Sequence, residues 1–134
     1  MTSDLAALAA IMPFTKALGV ELDHAEADEV RGRLAWAPDR CTSGGVLHGG
    51  ALMSLADGLG GICAHLNLPA GAATSTIESK TNFFRAVRGG EAHAVTRPLH
   101  AGRTTIVVQT DVRDDDGRLV AQTTQTQAVL GPRP

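Results

Sequence analysis

One long helical period, set among segments that alternate like strands, constrains this chain more than any other feature. Between Gly49 and Leu66 the residues Leu52, Leu55, Ala56, Leu59, Ile62, Cys63 and Leu66 recur at helical steps and form one apolar stripe. Its flanks do not share that period. Val20 to Ala37 alternates apolar and polar residues about an Ala27-Asp28-Glu29 break, which predicts two strands, the second carrying Val30, Leu34 and Trp36. After Asn67 to Gly71, where Pro69 ends the helix, four strand-like runs follow: Ala73 to Ala86, Glu91 to His100, Thr104 to Val112 and Arg118 to Leu130. Arg88-Gly89-Gly90 and Asp114-Asp115-Asp116-Gly117 read as hairpin turns. A short Ala- and Leu-rich helix, Leu5 to Met12, with Ser3 or Asp4 as its N-cap, stops before Pro13, and Pro38 to Gly45 reads as a loop. A lone helix cannot bury its stripe, and an antiparallel sheet has a face to cover. Laying one across the other predicts an α+β domain.

The length of 134 residues suits a single domain, 1–134, with the N-terminal helix inside 1–12 and a short tail at 131–134. Few aromatic residues are present, so the core should rest on Ala, Leu, Val and Ile. A net charge of −2 and the lack of any basic run argue against nucleic acid as a partner. Arg85, Arg88, Arg97, Arg103, Arg113 and Arg118 admit two readings, a solvated surface or a site for an anionic ligand. The start lacks a signal-peptide pattern and no run has membrane-spanning length, so a soluble, cytoplasmic domain without a membrane partner is expected. Cys41 and Cys63 lack metal-ligand spacing, and Cys63 lies on the core stripe as a packing residue. His24, His65 and His93 make no ligand pattern, and no Gly-Lys-Ser/Thr follows the glycine pairs. Neither a metal nor a cofactor is expected.

The face of the central helix opposite the stripe is unusual. At 100° per residue Asp57 lies across from the stripe, beside Gly50, Ser54, Gly61 and Ala64, with Gly58 and Gly60 to the sides. An interior glycine costs a helix about 1 kcal/mol relative to alanine, so three in four positions ask for a reason. Either the helix breaks there and Asp57 is a solvated carboxylate, or the small residues admit another backbone or a ligand. At the helix start, Gly49 and Gly50 offer N–H groups without intrahelical partners, suited to polarising a carbonyl. Asp57 lies roughly 12 Å along the axis from Gly49, too far for both to act on one carbonyl. Two antiparallel copies about a two-fold axis would pair the helix start of one chain with Asp57 of the other.

The run Leu47-His48-Gly49-Gly50-Ala51-Leu52-Met53-Ser54-Leu55-Ala56-Asp57 resembles the signature of the hotdog-fold thioesterases, most closely the phenylacetate-degradation (PaaI-type) branch of the 4-hydroxybenzoyl-CoA thioesterase superfamily. Thr81-Asn82-Phe83-Phe84-Arg85-Ala86 resembles that family's N-F-x-R-P strand, with Ala86 where Pro is common. His100-Ala101-Gly102-Arg103 resembles its H-x-G-R segment, and the Asp114 to Gly117 turn falls where the family has an acidic one. The resemblance runs from about Pro13 to Leu130. It implies a hotdog fold, in which an antiparallel sheet wraps one long helix. It also implies hydrolysis of an acyl- or aroyl-CoA thioester, with the phenylacetyl type suggested by the branch.

On the same resemblance Asp57 is the catalytic carboxylate, acting as general base or nucleophile, and the Gly49 N–H polarises the thioester carbonyl. Thr76, from the partner chain, positions water, with Thr74 or Ser75 as alternatives. His48 shapes the turn more than it does chemistry, and Thr42, His48, Gly50, Asn82, Phe83, Phe84, Arg85, Gly102 and Arg103 contact the substrate or line the CoA path. Thr42 stands where many relatives carry Asn or Gln, and Gly61 where some carry Thr. The expected assembly is a homodimer with shared sites, extended to a dimer of dimers. Two rival functions accompany this one: a hydroxyacyl-CoA dehydratase, and a non-catalytic acyl-CoA-binding protein.

Overall fold

The computed structural model describes residues 4–131; Ser3, the alternative N-cap, and the last three residues of the tail lie outside the described residues. Asp4 caps α1 (Leu5–Ala10), its carboxylate accepting the Ala7 N–H at 3.1 Å. The chain does not then run straight into a strand. Pro13 opens a second helix, α2 (Pro13–Leu18), which the alternation of the sequence did not announce. Proline suits a first helical position, where its missing N–H would have had no partner, and six residues are too few to display a period. Gly19 closes α2 at φ +99°, a left-handed geometry open to glycine. A side chain there would also collide with the Arg40 guanidinium. Arg40 donates from Nε to Leu18 O at 2.7 Å and from Nη1 to Ala35 O at 3.0 Å. It thereby ties the end of α2 to the loop that leads into the central helix.

The strands are β1 (Glu21–Glu26), β2 (Glu29–Ala35), β3 (Ala73–Phe83), β4 (Glu91–Ala101), β5 (Thr105–Arg113) and β6 (Leu119–Leu130). They form one antiparallel sheet in the order β1-β2-β4-β5-β6-β3. The central helix α3 (Gly49–Leu66) has the bounds that its stripe predicts, and it packs on β2, β4, β5, β6 and β3. Leu55, Leu59 and Cys63 from α3 are fully buried, as are Val30, Leu34, Ile106, Val108, Val112 and Val120 from the sheet. Sheet around helix is the architecture that the resemblance implies.

Two departures from a plain apolar core matter for the site. A row of threonines crosses the sheet in register, with Thr96 bonded to Thr110 at 2.6 Å and Thr81 to Thr123 at 2.7 Å. Their hydroxyls satisfy one another, as buried polar groups must. The second departure is β3 itself. It forms one edge of the sheet over eleven residues, and only Thr74 and Thr81 are even half-buried. The opposite edge, β1, is short, bulged and acidic, the usual protection of an exposed edge. β3 carries only Glu78 and Lys80 as charges.

Candidate active site

The start of α3 is built by His48. Its backbone is extended (φ −61°, ψ 137°), and its Nδ1 accepts the Gly50 N–H at 2.8 Å. An accepting Nδ1 places the ring proton on Nε2. The loop before it is held independently of that cap. Leu47 N–H donates to Val87 O, His48 N–H to Arg40 O, both at 2.9 Å, and Trp36 Nε1 to Gly45 O at 3.0 Å. Of the two glycine donors expected at this end, Gly50 is therefore occupied by His48. The Gly49 N–H has no acceptor among the described residues. Phe83 stands beside it, with a ring carbon 3.2 Å from where a Cβ on Gly49 would lie.

Asp57 is exposed, as the helical wheel requires, but the small residues around it are not left open for a partner. A Cβ on Gly58 would lie 3.0 Å from Thr15 Cγ2, and one on Gly60 would overlap the Gln125 amide. Gly61 alone of the three is not tightly filled, with Met12 Sδ at 3.7 Å. Ala64, expected on the outer face, is fully buried. The buried arc of α3 is thus wider than its stripe, because α2 and the inward side chains of β6 cover its flanks. The expectation that the glycines admit a second backbone or a ligand is corrected at Gly58 and Gly60, where the chain's own side chains fill the space.

A cleft of about 250 Å³ opens beside Asp57. Leu8, Ile11 and Met12 form one wall, Asp57, Gly61, Ile62 and His65 of α3 another, and Thr74, Ser75 and Thr76 of β3 the third, with Gln127 at its side. Gln127 donates from Nε2 to Thr76 Oγ1 at 2.8 Å and accepts from Thr74 Oγ1 at 3.2 Å. The Thr76 hydroxyl, as an acceptor here, keeps its own hydrogen for a group in the cleft. Thr76 and Asp57 thus share a cleft within one chain, whereas the resemblance drew Thr76 from the partner. Gln125 also reaches Asp57, from Nε2 to Oδ1 at 3.4 Å. Sequence reasoning passed over both glutamines. The signal was their phase: Thr123, Gln125 and Gln127 occupy the inward positions of a strand that should have presented apolar residues there.

The remaining candidates do not converge on this cleft. Thr42 is exposed in a turn closed by Gly45 N–H to Thr42 O at 3.1 Å. Asn82, Phe83, Phe84 and Arg85 lie exposed at the end of β3, on the Gly49 side. Arg85 lines a separate groove of about 550 Å³ with Arg88, Asp114, Asp115, Asp116 and Arg118. Gly102 and Arg103 form the β4–β5 turn, where Gly102 N–H donates to Thr105 O at 2.8 Å. In register, Thr105 and Ser75 both pair with Ala128, so this turn shares an end of the sheet with Thr74 to Thr76. The candidates therefore form two groups: Gly49 with Asn82 to Arg85 at one end, Asp57 and Thr76 toward the other. Among the described residues no three His, Cys, Asp or Glu side chains converge as a metal site would require.

The sequence profile of the thioesterase superfamily matches residues 44–121, from the loop before α3 to the start of β6. The chain belongs to the thioesterase superfamily. Within it, the Escherichia coli 1,4-dihydroxy-2-naphthoyl-CoA hydrolase is 34% identical over 86 residues, covering 64% of this chain and 63% of that protein. The proofreading thioesterase EntH of Cronobacter sakazakii is 33% identical over 87 residues, covering 65% and 64%. The chain matches 60% to 63% of the length of the first curated relatives. Solved structures match more fully. Thioesterase HI1161 of Haemophilus influenzae superposes with a TM-score of 0.90 at 26% identity, covering 98% of this chain and 93% of that one. A mutant of thioesterase PA1618 from Pseudomonas aeruginosa also gives 0.90, at 28% identity and coverage of 97% and 96%. The fold is the hotdog fold of this superfamily. Among the described residues no helix is long and apolar enough to cross a membrane.

Proposed function

We propose that the protein is an acyl-CoA thioesterase that releases a free acid and CoA at two sites shared between the subunits of a homodimer. The observation that carries this reading is the exposed carboxylate of Asp57 on the wall of a cleft with an apolar side, Leu8, Ile11, Met12 and Ile62, and a polar one, Thr74 to Thr76, in a chain of this superfamily. The cleft would take the acyl group and set its carbonyl carbon beside Asp57. The Gly49 N–H, at the positive end of α3, would hold the carbonyl oxygen as it becomes an oxyanion. Asp57 then takes a proton from water, whose oxygen attacks the carbon while the Thr76 hydroxyl orients it, or attacks the carbon itself. In either course the C–S bond breaks and the sulfur leaves as the CoA thiolate, to be protonated; after direct attack, water then cleaves the acyl–Asp57 anhydride, which releases the acid and restores the carboxylate. CoA would run past Asn82 to Arg85 and past Gly102-Arg103, and the Thr42 hydroxyl would contribute weakly where relatives use an amide.

The need for two chains follows from the two groups of candidates. Gly49 and Asp57 are roughly 12 Å apart along one helix. The free edge of β3 offers a remedy, because unpaired backbone donors and acceptors on a long edge invite another strand. Antiparallel pairing of β3 with its copy reverses the second strand. The Phe83 end of one chain, with Gly49 behind it, then meets the Thr74 to Thr76 end of the other, with Asp57 behind that. An axis at Ser79 would also set Glu78 against the partner's Lys80, an opposite-charge cross-strand pair. The PaaI-type resemblance of the motif supports an arylacetyl thioester as the first substrate to try. The test is thiol release from a panel of aryl and aliphatic acyl-CoAs by the wild type and Asp57→Asn. The proposal expects turnover to fall by orders of magnitude in the variant while the dimer persists. Turnover near that of the wild type would end it.

A further inference from the structure

A polar side chain on the inward face of a strand costs stability unless its hydrogen-bonding groups find partners. Gln125 on β6 is fully buried, yet only one end of its amide is engaged. Nε2 donates to Asp57 Oδ1 at 3.4 Å, and Oε1 is shielded from solvent with no partner among the described residues. A leucine could fill the same space without that penalty. Its neighbour Gln127 is different, since Thr76 takes its Nε2–H and the Thr74 hydroxyl, which it shares with Ala128 O, lies within bonding distance of its Oε1.

The orientation of the Gln125 amide is dictated by chemistry. An ionised carboxylate only accepts, so the nitrogen end must face Asp57, and Oε1 is left to point at α3. There Gly60 makes the room, because any Cβ at 60 would overlap Oε1. Two unfavourable features, a glycine inside a helix and an orphaned carbonyl oxygen, thus serve the same contact. A carboxylate on an exposed helix face otherwise samples several rotamers.

We propose that Gln125 is a positioning residue for the reaction: its Nε2–H fixes the Asp57 carboxylate through Oδ1, leaving Oδ2 free to take the water proton or to attack, and Gly60 exists to admit it. The inference rests on the reading of Asp57 as the reacting carboxylate. The contact is long, as catalytic hydrogen bonds often are before substrate tightens them.

The test uses Gln125→Met, which fills the space without an amide, and Gly60→Ala, which keeps Gln125 but takes the place of its oxygen. Thiol-release kcat and KM are measured for each, for the double variant, and for each in an Asp57→Asn background. Each single variant should lower kcat by about tenfold, the worth of one hydrogen bond to a charged group, with KM within about twofold. The double variant should be no slower than the slower single one, because both remove one contact. Neither should lower the residual rate of Asp57→Asn further. Unchanged kcat in folded variants, additive losses, or equal losses in the Asp57→Asn background would each overturn the inference while leaving the thioesterase reading intact. Wild-type turnover by Asp57→Asn itself would overturn both.

Discussion

Replacing His48 by alanine separates capping from catalysis at the start of α3. The side chain is exposed, so its removal leaves no cavity; what is lost is the acceptor that holds the Gly50 N–H at 2.8 Å. Loss of an N-cap acceptor costs about 1 kcal/mol. For 134 residues the entropy of unfolding is about 280 cal/mol/K, so Tm should fall by about 3.5 °C. The backbone of the loop should stay in place, because Leu47, His48 and Trp36 anchor it through bonds that do not use the imidazole. The Gly49 N–H therefore keeps its position, and kcat should drop by less than about tenfold. His48→Asn retains a capping acceptor and should restore most of both losses. Thermal unfolding and thiol-release kinetics on the three proteins check this. A fall in kcat of about a thousandfold in both variants, with Tm unchanged, would refute the capping account and make His48 a participant in proton transfer.

Gly32→Ala would set a Cβ 2.8 Å from Glu21 O and 3.1 Å from Leu59 Cδ1, so either the β1 backbone or α3 must shift. The expected loss is about 1 to 3 kcal/mol, read as a lower urea midpoint at unchanged slope; an unchanged midpoint would contradict the packing of α3 on β2. Burial, and secondarily the charge of Asp28, push the Cys63 thiol up to about 11. Its thiolate fraction at pH 8 is then about one in a thousand, so maleimide should label Cys41 in the native protein and reach Cys63 only after unfolding. Because its folded value is raised, this thiol's contribution to stability is whole below pH 9 and is lost as pH rises toward 11. Equal labelling of both cysteines in the folded protein would show that α3 is not packed as described.

Much of this fold is legible in the sequence because it depends on local pattern. The stripe from Leu52 to Leu66 gives α3 its observed bounds, and the Asp114 to Gly117 turn joins β5 to β6 with Asp114 N–H bonded to Arg118 O. Pattern fails where the cause lies far along the chain. Gly58 and Gly60 read as openings for a partner, yet Thr15 and Gln125 fill them, and no periodicity links those positions. Helix α2, only six residues long, is too short to display a helical period. Gly49 and Asp57 stand out by helix geometry alone, whereas Thr76 is a candidate only through the family resemblance. The separation of Gly49 from Asp57 is already set by helical rise, whereas the placing of Thr76 beside Asp57, and of Gly102-Arg103 at the same end of the sheet, needs the tertiary fold and a register that puts Ser75 and Thr105 on Ala128.

The claim that each site joins the Gly49 end of one chain to Asp57 of another is tested most directly by subunit complementation. Asp57→Asn lacks the carboxylate. Gly49→Val places bulk against Phe83 and over the free N–H. Each homodimer should be nearly inactive. In a refolded equal mixture, half of the dimers are hybrids, and each hybrid holds one site free of both changes. Thiol release should therefore recover to about a quarter of the wild-type rate. If both parts of the site belonged to one chain, every site in the mixture would carry a lesion, and the mixture would stay as inactive as its parents.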